Sequence, residues 1–277
     1  MPELPEVETV CRDLAAEKLT ATIEKATVKW PNILHNISPD KFKKQIKETK
    51  FLEIKRRGKY IHIVLDNQMH LFIHLRMTGR VAINLDHSKP NKHEHVVLYF
   101  NDGRSLRYHD TRKFGKWSLT KNPEEVIGHL GVEPLEKEFT LTVLKDLLLN
   151  SSRQIKPFLL DQTKIAGIGN IYADESLFFA GIHPESITAK IPEDNIKRLH
   201  QGIKKVLRQG LKNMGTTLGS SETNFYSVAK RKGRNKEKLL VFRRETQNCF
   251  NCETIIKKLV VAQRGTHICE NCQTLFS

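Results

Sequence analysis

Four cysteines close to the C-terminus, in "CFNC" and "CENC", are spaced Cys249-x2-Cys252-x16-Cys269-x2-Cys272. Two such knuckles present four thiolates that close a tetrahedron around zinc, whereas a redox dithiol needs only one pair. With sulfur at every corner no position stays open for water, so the expected cofactor is one structural Zn2+. It should pin a β-hairpin too small to fold alone. The intervening "VVAQRGTH" is that hairpin, with Arg264 and Gly265 expected near its tip. Arg264 reads equally well as a solvated charge or a phosphate contact. The fifth cysteine, Cys11, falls beside an apolar helix face and is expected to be a buried, inert thiol.

Two further stretches carry chemical potential. "KIAGIGNIYADESL" sets two glycines between helical segments, with Asn170 placed to cap the second helix. Close backbone approach beside free N–H groups at a helix start suits a phosphate, although an ordinary helix connection has the same look. At the other end, "MPELPEVETV" reads as a helix start from Pro5 onward, with Glu6 and Glu8 near the positive end of its dipole. That leaves Pro2 and Glu3 without a structural explanation.

The elements that must position these groups fall into two patterns. From about Ile23 to Phe114, "KYIHIVL", "MHLFIHLRM", "HEHVVLYF" and "RSLRYHD" read as strands between turn signals, interrupted by a short helix at "SPDKFKKQI". Beyond Pro134 the pattern becomes helical, through "PEDNIKRLHQGIKKVLRQGLKNM". The expected class is α+β and two-lobed. An N-terminal β-sandwich or barrel with flanking helices spans 1–133, a helical segment 134–230, and a basic segment with the zinc hairpin 231–277. The 277 residues carry a net charge of +15, which calls for a polyanionic partner, nucleic acid before membrane. No apolar run approaches the roughly 20 residues that cross a bilayer, and no basic-then-apolar leader is seen. The expected setting is cytoplasmic and nucleoid-associated, with a monomer as the default.

Read together, "PELPEVET", "RRGKY", "HLRMTGR", "DTRKFGKW", "LDQTKIAGIGNIYADE" and "AQRGTHIC" resemble the formamidopyrimidine-DNA glycosylases of bacteria, in that family's order and over nearly the whole length. The resemblance implies a sandwich lobe, a helix–two-turn–helix lobe with a lesion-capping loop, and a zinc finger. It also implies base-excision repair of oxidised purines (8-oxoguanine, formamidopyrimidines) in duplex DNA, by a bifunctional glycosylase and abasic-site lyase. Leu4 favours this branch over the related endonuclease VIII group.

The opening residues then acquire a use. Loss of Met1 would leave Pro2 with a free secondary amine, and an α-amino group titrates near 7.7–8.0 against about 10.4 for lysine. Such an amine can attack C1′ of a deoxyribose and leave an iminium ion. By the same resemblance Glu3 moves protons, Lys59 serves β-elimination, and Arg264 grips phosphate and serves δ-elimination. Met77, Arg112 and Phe114 fill the space of the everted base, His93 contacts DNA, and Asn170 binds phosphate. Ser152 stands where many members have lysine, with Arg153 or Lys156 as substitutes.

The chain also departs from the family. Arg76 replaces a commoner glycine. The tract "FYSVAKRKGRNKEKLLVFRRETQNC" is unusual, with eight basic residues and one acidic between Lys230 and Arg244. That tract reads either as an altered lesion loop or as a solvated, disordered run. Two alternatives follow: a glycosylase of oxidised pyrimidines or abasic sites, and a zinc-ribbon DNA-binding protein without catalysis.

Overall fold

A computed structural model describes residues 1–219 and 225–277. The part of the lesion-capping loop expected at 220–224 lies outside the described residues. The chain divides into two compact units, 1–129 with 213–234, and 130–212 with 235–277. Packing thus groups 213–234, a polar stretch that turns basic, with the N-terminal unit.

In the first unit, helix α1 (Leu4–Ala16) precedes β1 (Ile23–Val28) and a short α2 (Pro39–Ile46). Seven strands follow: β2 (Phe51–Arg57), β3 (Tyr60–Leu65), β4 (His70–His74), β5 (Arg80–Asn84), β6 (Glu94–Phe100), β7 (Ser105–His109) and β8 (Lys116–Thr120). A one-turn α3 (Glu124–Ile127) ends the unit's first stretch. The strands make two antiparallel sheets, ordered β1-β6-β7-β5 and β2-β3-β4-β8. Alternation decides the faces: Ile61, Ile63, Leu71, Ile73 and Trp117 of one sheet meet Val96, Leu98, Leu106 and Tyr108 of the other in one buried core. Edge-on pairs Phe51–Phe100 and Tyr108–Trp117 span the layers. Val7, Val10 and Leu14 bury one face of α1 in the same core, as their helical spacing requires. Cys11 is there too, its thiol pushed up by burial.

The outer face of the second sheet holds a histidine cluster that alternation alone does not announce. His62 Nε2 lies 2.8 Å from His70 Nδ1, and the His62 ring stacks on Phe72 at 4.3 Å. Burial, then the neighbouring His70 and Lys55, lower His62 to about 4, while Glu53 opposes them. Burial with Arg76, Lys59 and Lys116 lowers His74 to about 3. Both are neutral when folded and take up protons near 6.5 when unfolded. Their stabilisation is complete above pH 6.5 and drains away as pH falls through about 4 for His62 and about 3 for His74. Unfolding free energies from urea titrations should drop over that window, by roughly 1–2 kcal/mol for His62 after solvent screening, and His62→Gln should flatten the slope.

The second unit contains α4 (Leu141–Leu149), α5 (Ile155–Leu160), α6 (Asn170–Ala180) and α7 (Glu193–Lys212), then the hairpin β9 (Lys257–Val261) and β10 (Arg264–Ile268). The loop between α5 and α6 is braced by Gln162. Its Nε2 donates to Leu160 O and Ile168 O, and its Oε1 accepts from Gly167 N, where φ is +93°.

Candidate nucleic-acid interface

The N-terminus is fastened by a carboxylate. Glu3 caps α1 and shares a reciprocal capping box with Glu6, whose Oε2 accepts from Glu3 N at 2.8 Å. The other oxygen of Glu6 accepts from Thr216 N at 2.7 Å, so one buried side chain ties the first turn of α1 to the 213–234 segment. Pro2 and Glu3 are buried, and Met1 ahead of them is half-exposed. Glu8 pairs with Arg56 at 3.1 Å, fixing α1 on the end of β2. There the β2–β3 hairpin closes in two residues, Gly58 and Lys59, with Gly58 at φ +55°. A glycine in the first central position is what a type II′ tip requires, and it sets Lys59 at that tip.

A wedge stands out on the same unit. Met77 and Phe114 are 44% and 48% exposed, unusual for large apolar side chains, and Arg112 joins them. Its Nη1 donates to Met77 Sδ at 3.3 Å and its guanidinium lies 4.7 Å from the Phe114 ring centre. The two loops carrying these residues are held by Asp110, which is fully buried. Its carboxylate accepts from Thr78 Oγ1, Arg112 N (3.1 Å), Gly115 N (2.8 Å) and Tyr108 Oη (3.4 Å). Asp110→Asn puts a donor amide among four donors. It should cost about 2–3 kcal/mol, read as a lowered urea midpoint. Arg76 beside the wedge adopts φ +53°, a conformation that explains why glycine suits the position. His93 lies against His109, ring centres 5.4 Å apart.

In the second unit α6 begins differently from expectation. Gly169 is the cap, in extended backbone, and Asn170 is the first helical residue. Asn170 reaches across instead: its Nδ2 donates to Gly265 O of β10 at 2.9 Å, leaving a buried Oδ1 with no partner among the described residues. Lys156 needs a larger correction. It is fully buried, with Nζ 2.6 Å from Asp174 Oδ1 and donating to Thr266 Oγ1 and Gly265 O. An ammonium held this way props the zinc hairpin and has no surface to offer a phosphate. Arg153 pairs with Asp161 at 2.8 Å, and Ser152 is exposed.

The β9–β10 hairpin turns through Ala262 and Gln263, both at positive φ, and Arg264 follows as the exposed first residue of β10. The four cysteine Sγ atoms lie within 4.8 Å of one another, including Cys252–Cys269 at 3.4 Å and Cys249–Cys272 at 3.9 Å. Zinc–sulfur bonds of about 2.3 Å place tetrahedral sulfurs about 3.8 Å apart, so the cluster fits one zinc. The basic tract before it is anchored. Glu175, buried in α6, accepts backbone N–H bonds from Leu240, Val241 and Phe242, and Leu239 and Val241 are buried. A disordered, solvated run is therefore excluded for this stretch. Asp110, Gln162 and Glu175 escape a sequence reading, because an isolated polar residue that pairs with distant backbone leaves no periodic trace.

Family models match along the chain: the formamidopyrimidine-DNA glycosylase N-terminal domain over residues 1–117, the H2TH domain of the same enzymes over 130–222, and the zinc finger found in FPG and IleRS over 247–275. The chain belongs to the formamidopyrimidine-DNA glycosylase family. The formamidopyrimidine-DNA glycosylase of Protochlamydia amoebophila is 42% identical over 259 residues, 93% of this chain and 94% of that one. That of Bacillus subtilis is 39% identical over 263 residues, with the same coverage. Among solved structures, a Lactococcus lactis FPG mutant in complex with DNA containing Fapy-dG is 35% identical, with a TM-score of 0.91, covering 98% of this chain and 99% of that one. The zinc-finger match and the four-cysteine cluster agree on a glycosylase of this family with one structural zinc. No helix among the described residues is long and apolar enough to cross a membrane.

Proposed function

We propose that this chain excises oxidised purines from duplex DNA and then cleaves the strand at the resulting abasic site. The observation that carries the reading is the wedge of Met77, Arg112 and Phe114, two exposed apolar side chains bracketing a guanidinium on loops locked by Asp110. Reaching a base inside a duplex means everting it at a cost of a few kcal/mol. Apolar side chains replace the lost stacking, and an arginine can bond the widowed cytosine.

In the reaction the Pro2 nitrogen, freed by loss of Met1, bonds to C1′ as the C1′–base bond breaks. Glu3 transfers the protons of sugar-ring opening, and an iminium forms. Loss of a proton from C2′ and cleavage of the C3′–O bond follow, with Lys59 serving that β-elimination. Loss of the C4′ proton and cleavage of the C5′–O bond follow, with Arg264 gripping the phosphate that leaves in this δ-elimination. Water then hydrolyses the iminium, freeing Pro2 and the sugar fragment and leaving a one-nucleotide gap with phosphates at both ends. His93 contacts the DNA and Asn170 binds a phosphate of its backbone. Bound zinc supplies no chemistry to the sugar; Cys249, Cys252, Cys269 and Cys272 hold it, and it fixes the hairpin that presents Arg264. Work on DNA suits a cytoplasmic, nucleoid-associated monomer.

The test is a panel of duplexes with one lesion each, treated with borohydride. We expect covalent trapping and cleavage with 8-oxoguanine opposite cytosine. A clear preference for an oxidised pyrimidine would favour the altered-specificity reading suggested by the unusual 225–244 tract. Binding without trapping of any lesion would leave only a zinc-ribbon DNA binder.

A further inference from the structure

The strand β5 is an edge of its sheet, and between it and a small hairpin at 226–232 lies a cavity of about 470 Å3. Val81 and Val228 line its apolar part, and Arg80, Lys230, His109 and Tyr226 its polar part. None of Pro2, Glu3, Lys59, Met77, Arg112 or Phe114 lines it. Its size is that of a small-ligand site. Among the described residues its charge is positive: Glu94, the carboxylate in its wall, is matched by the buried Arg107 at 3.2 Å, so Arg80 and Lys230 remain in excess.

The hairpin that roofs the cavity is fixed to the sandwich. Arg231 pairs with Asp13 of α1 at 2.5 Å, and Ala229 N donates to the same carboxylate at 3.3 Å. Thr217 holds both ends, its Oγ1 donating to Phe225 O at 2.6 Å and accepting from Gly233 N at 2.8 Å. Phe225 and Val228 enter the sandwich core. Lys230 sits at φ +58°, a conformation that disfavours a β-carbon, yet the position carries an exposed ammonium.

We propose that this cavity is a nucleotide subsite, holding one nucleotide of the bound DNA away from the lesion. Its phosphate lies against Arg80 and Lys230, and its base against the Tyr226 ring and the Val81–Val228 floor. Guanidinium and ammonium suit a phosphate diester, and an aromatic ring accepts any base face. The proposal rests on the DNA-repair reading and extends it to how the strand is held.

The experiment measures affinity for a duplex carrying a tetrahydrofuran abasic analogue across a range of salt. Lys230→Asn removes the charge and keeps a residue that tolerates left-handed backbone, so folding is preserved. Arg80→Gln is its companion. The double variant should lower the slope of log affinity against log salt by about 0.9, one phosphate's share. Tyr226→Ala should weaken binding several-fold while Tyr226→Phe does not. An unchanged slope, or wild-type affinity in Tyr226→Ala, overturns the subsite. Borohydride trapping on 8-oxoguanine DNA at low salt separates the two proposals. Trapping that persists in every variant leaves the chemistry intact, and its absence in the unaltered protein strikes the catalytic reading instead.

Discussion

A chain carrying a fixed extension ahead of Pro2 should lose strand cleavage by roughly three orders of magnitude or more, the scale seen when a covalent nucleophile is removed. Borohydride trapping should vanish with it. Affinity for the tetrahydrofuran duplex should stay within about twofold, because charge neutralisation of phosphates is untouched. An amide nitrogen has no lone pair to give, whereas an α-amine keeps a larger neutral fraction at cellular pH than a lysine does. The structure adds a reason for the position. Glu6 holds both Glu3 N and Thr216 N, so the first residues of α1 are fixed from two sides. Cleavage that continues undiminished behind a verified extension would remove Pro2 from the mechanism. Intact mass lacking Met1 is the companion measurement for the native protein.

Removal of zinc should produce the second large effect. Coordination energy of about 10–16 kcal/mol is folding energy for a site of this kind, since four unprotonated thiolates cannot stay clustered without the metal. Chelation, or Cys249→Ser, should unfold β9–β10 and scatter Arg264. Lys156 would then lose Thr266 and Gly265 as partners, and its buried ammonium would keep only Asp174. Strand cleavage should fall at least about 100-fold, on the scale of lost transition-state contacts. Elemental analysis should give one zinc per chain before treatment. The 1–129 sandwich contains none of the four ligands, so its near-ultraviolet signal from Trp30 and Trp117 should survive. Full activity in a zinc-free sample would overturn the structural role of the hairpin.

The parts of this molecule that sequence reveals are those written as spacing. Cysteines at fixed intervals bring four sulfurs together, and alternation along Tyr60–Leu65 and Glu94–Phe100 sends Ile61, Ile63, Leu65, Val96, Leu98 and Phe100 into the sandwich core. Helical spacing of Val7, Val10 and Leu14 likewise states which side of α1 is inside. Long-range pairing has no such notation. Lys156 looked like a surface cation because nothing local says that Asp174, in the next helix, will neutralise it in the interior. Asn170 looked like a cap because its type and place are right, yet Gly169 takes that job and Asn170 turns to Gly265. The charge of the basic tract leaves a lesion loop and a disordered run equally open, while its order comes from Glu175 gathering three backbone amides.

The tip of the zinc finger has a consequence for how that module could be rebuilt. Ala262 and Gln263 both occupy left-handed backbone, where neither residue type is at ease, so the loop contributes little of its own to strand alignment. Alignment is delegated to the metal below and to the side chains that clasp Gly265 from the helices. A protein engineer who wrote asparagine and glycine at those two places would shift that duty to the loop, making the finger less dependent on ion supply.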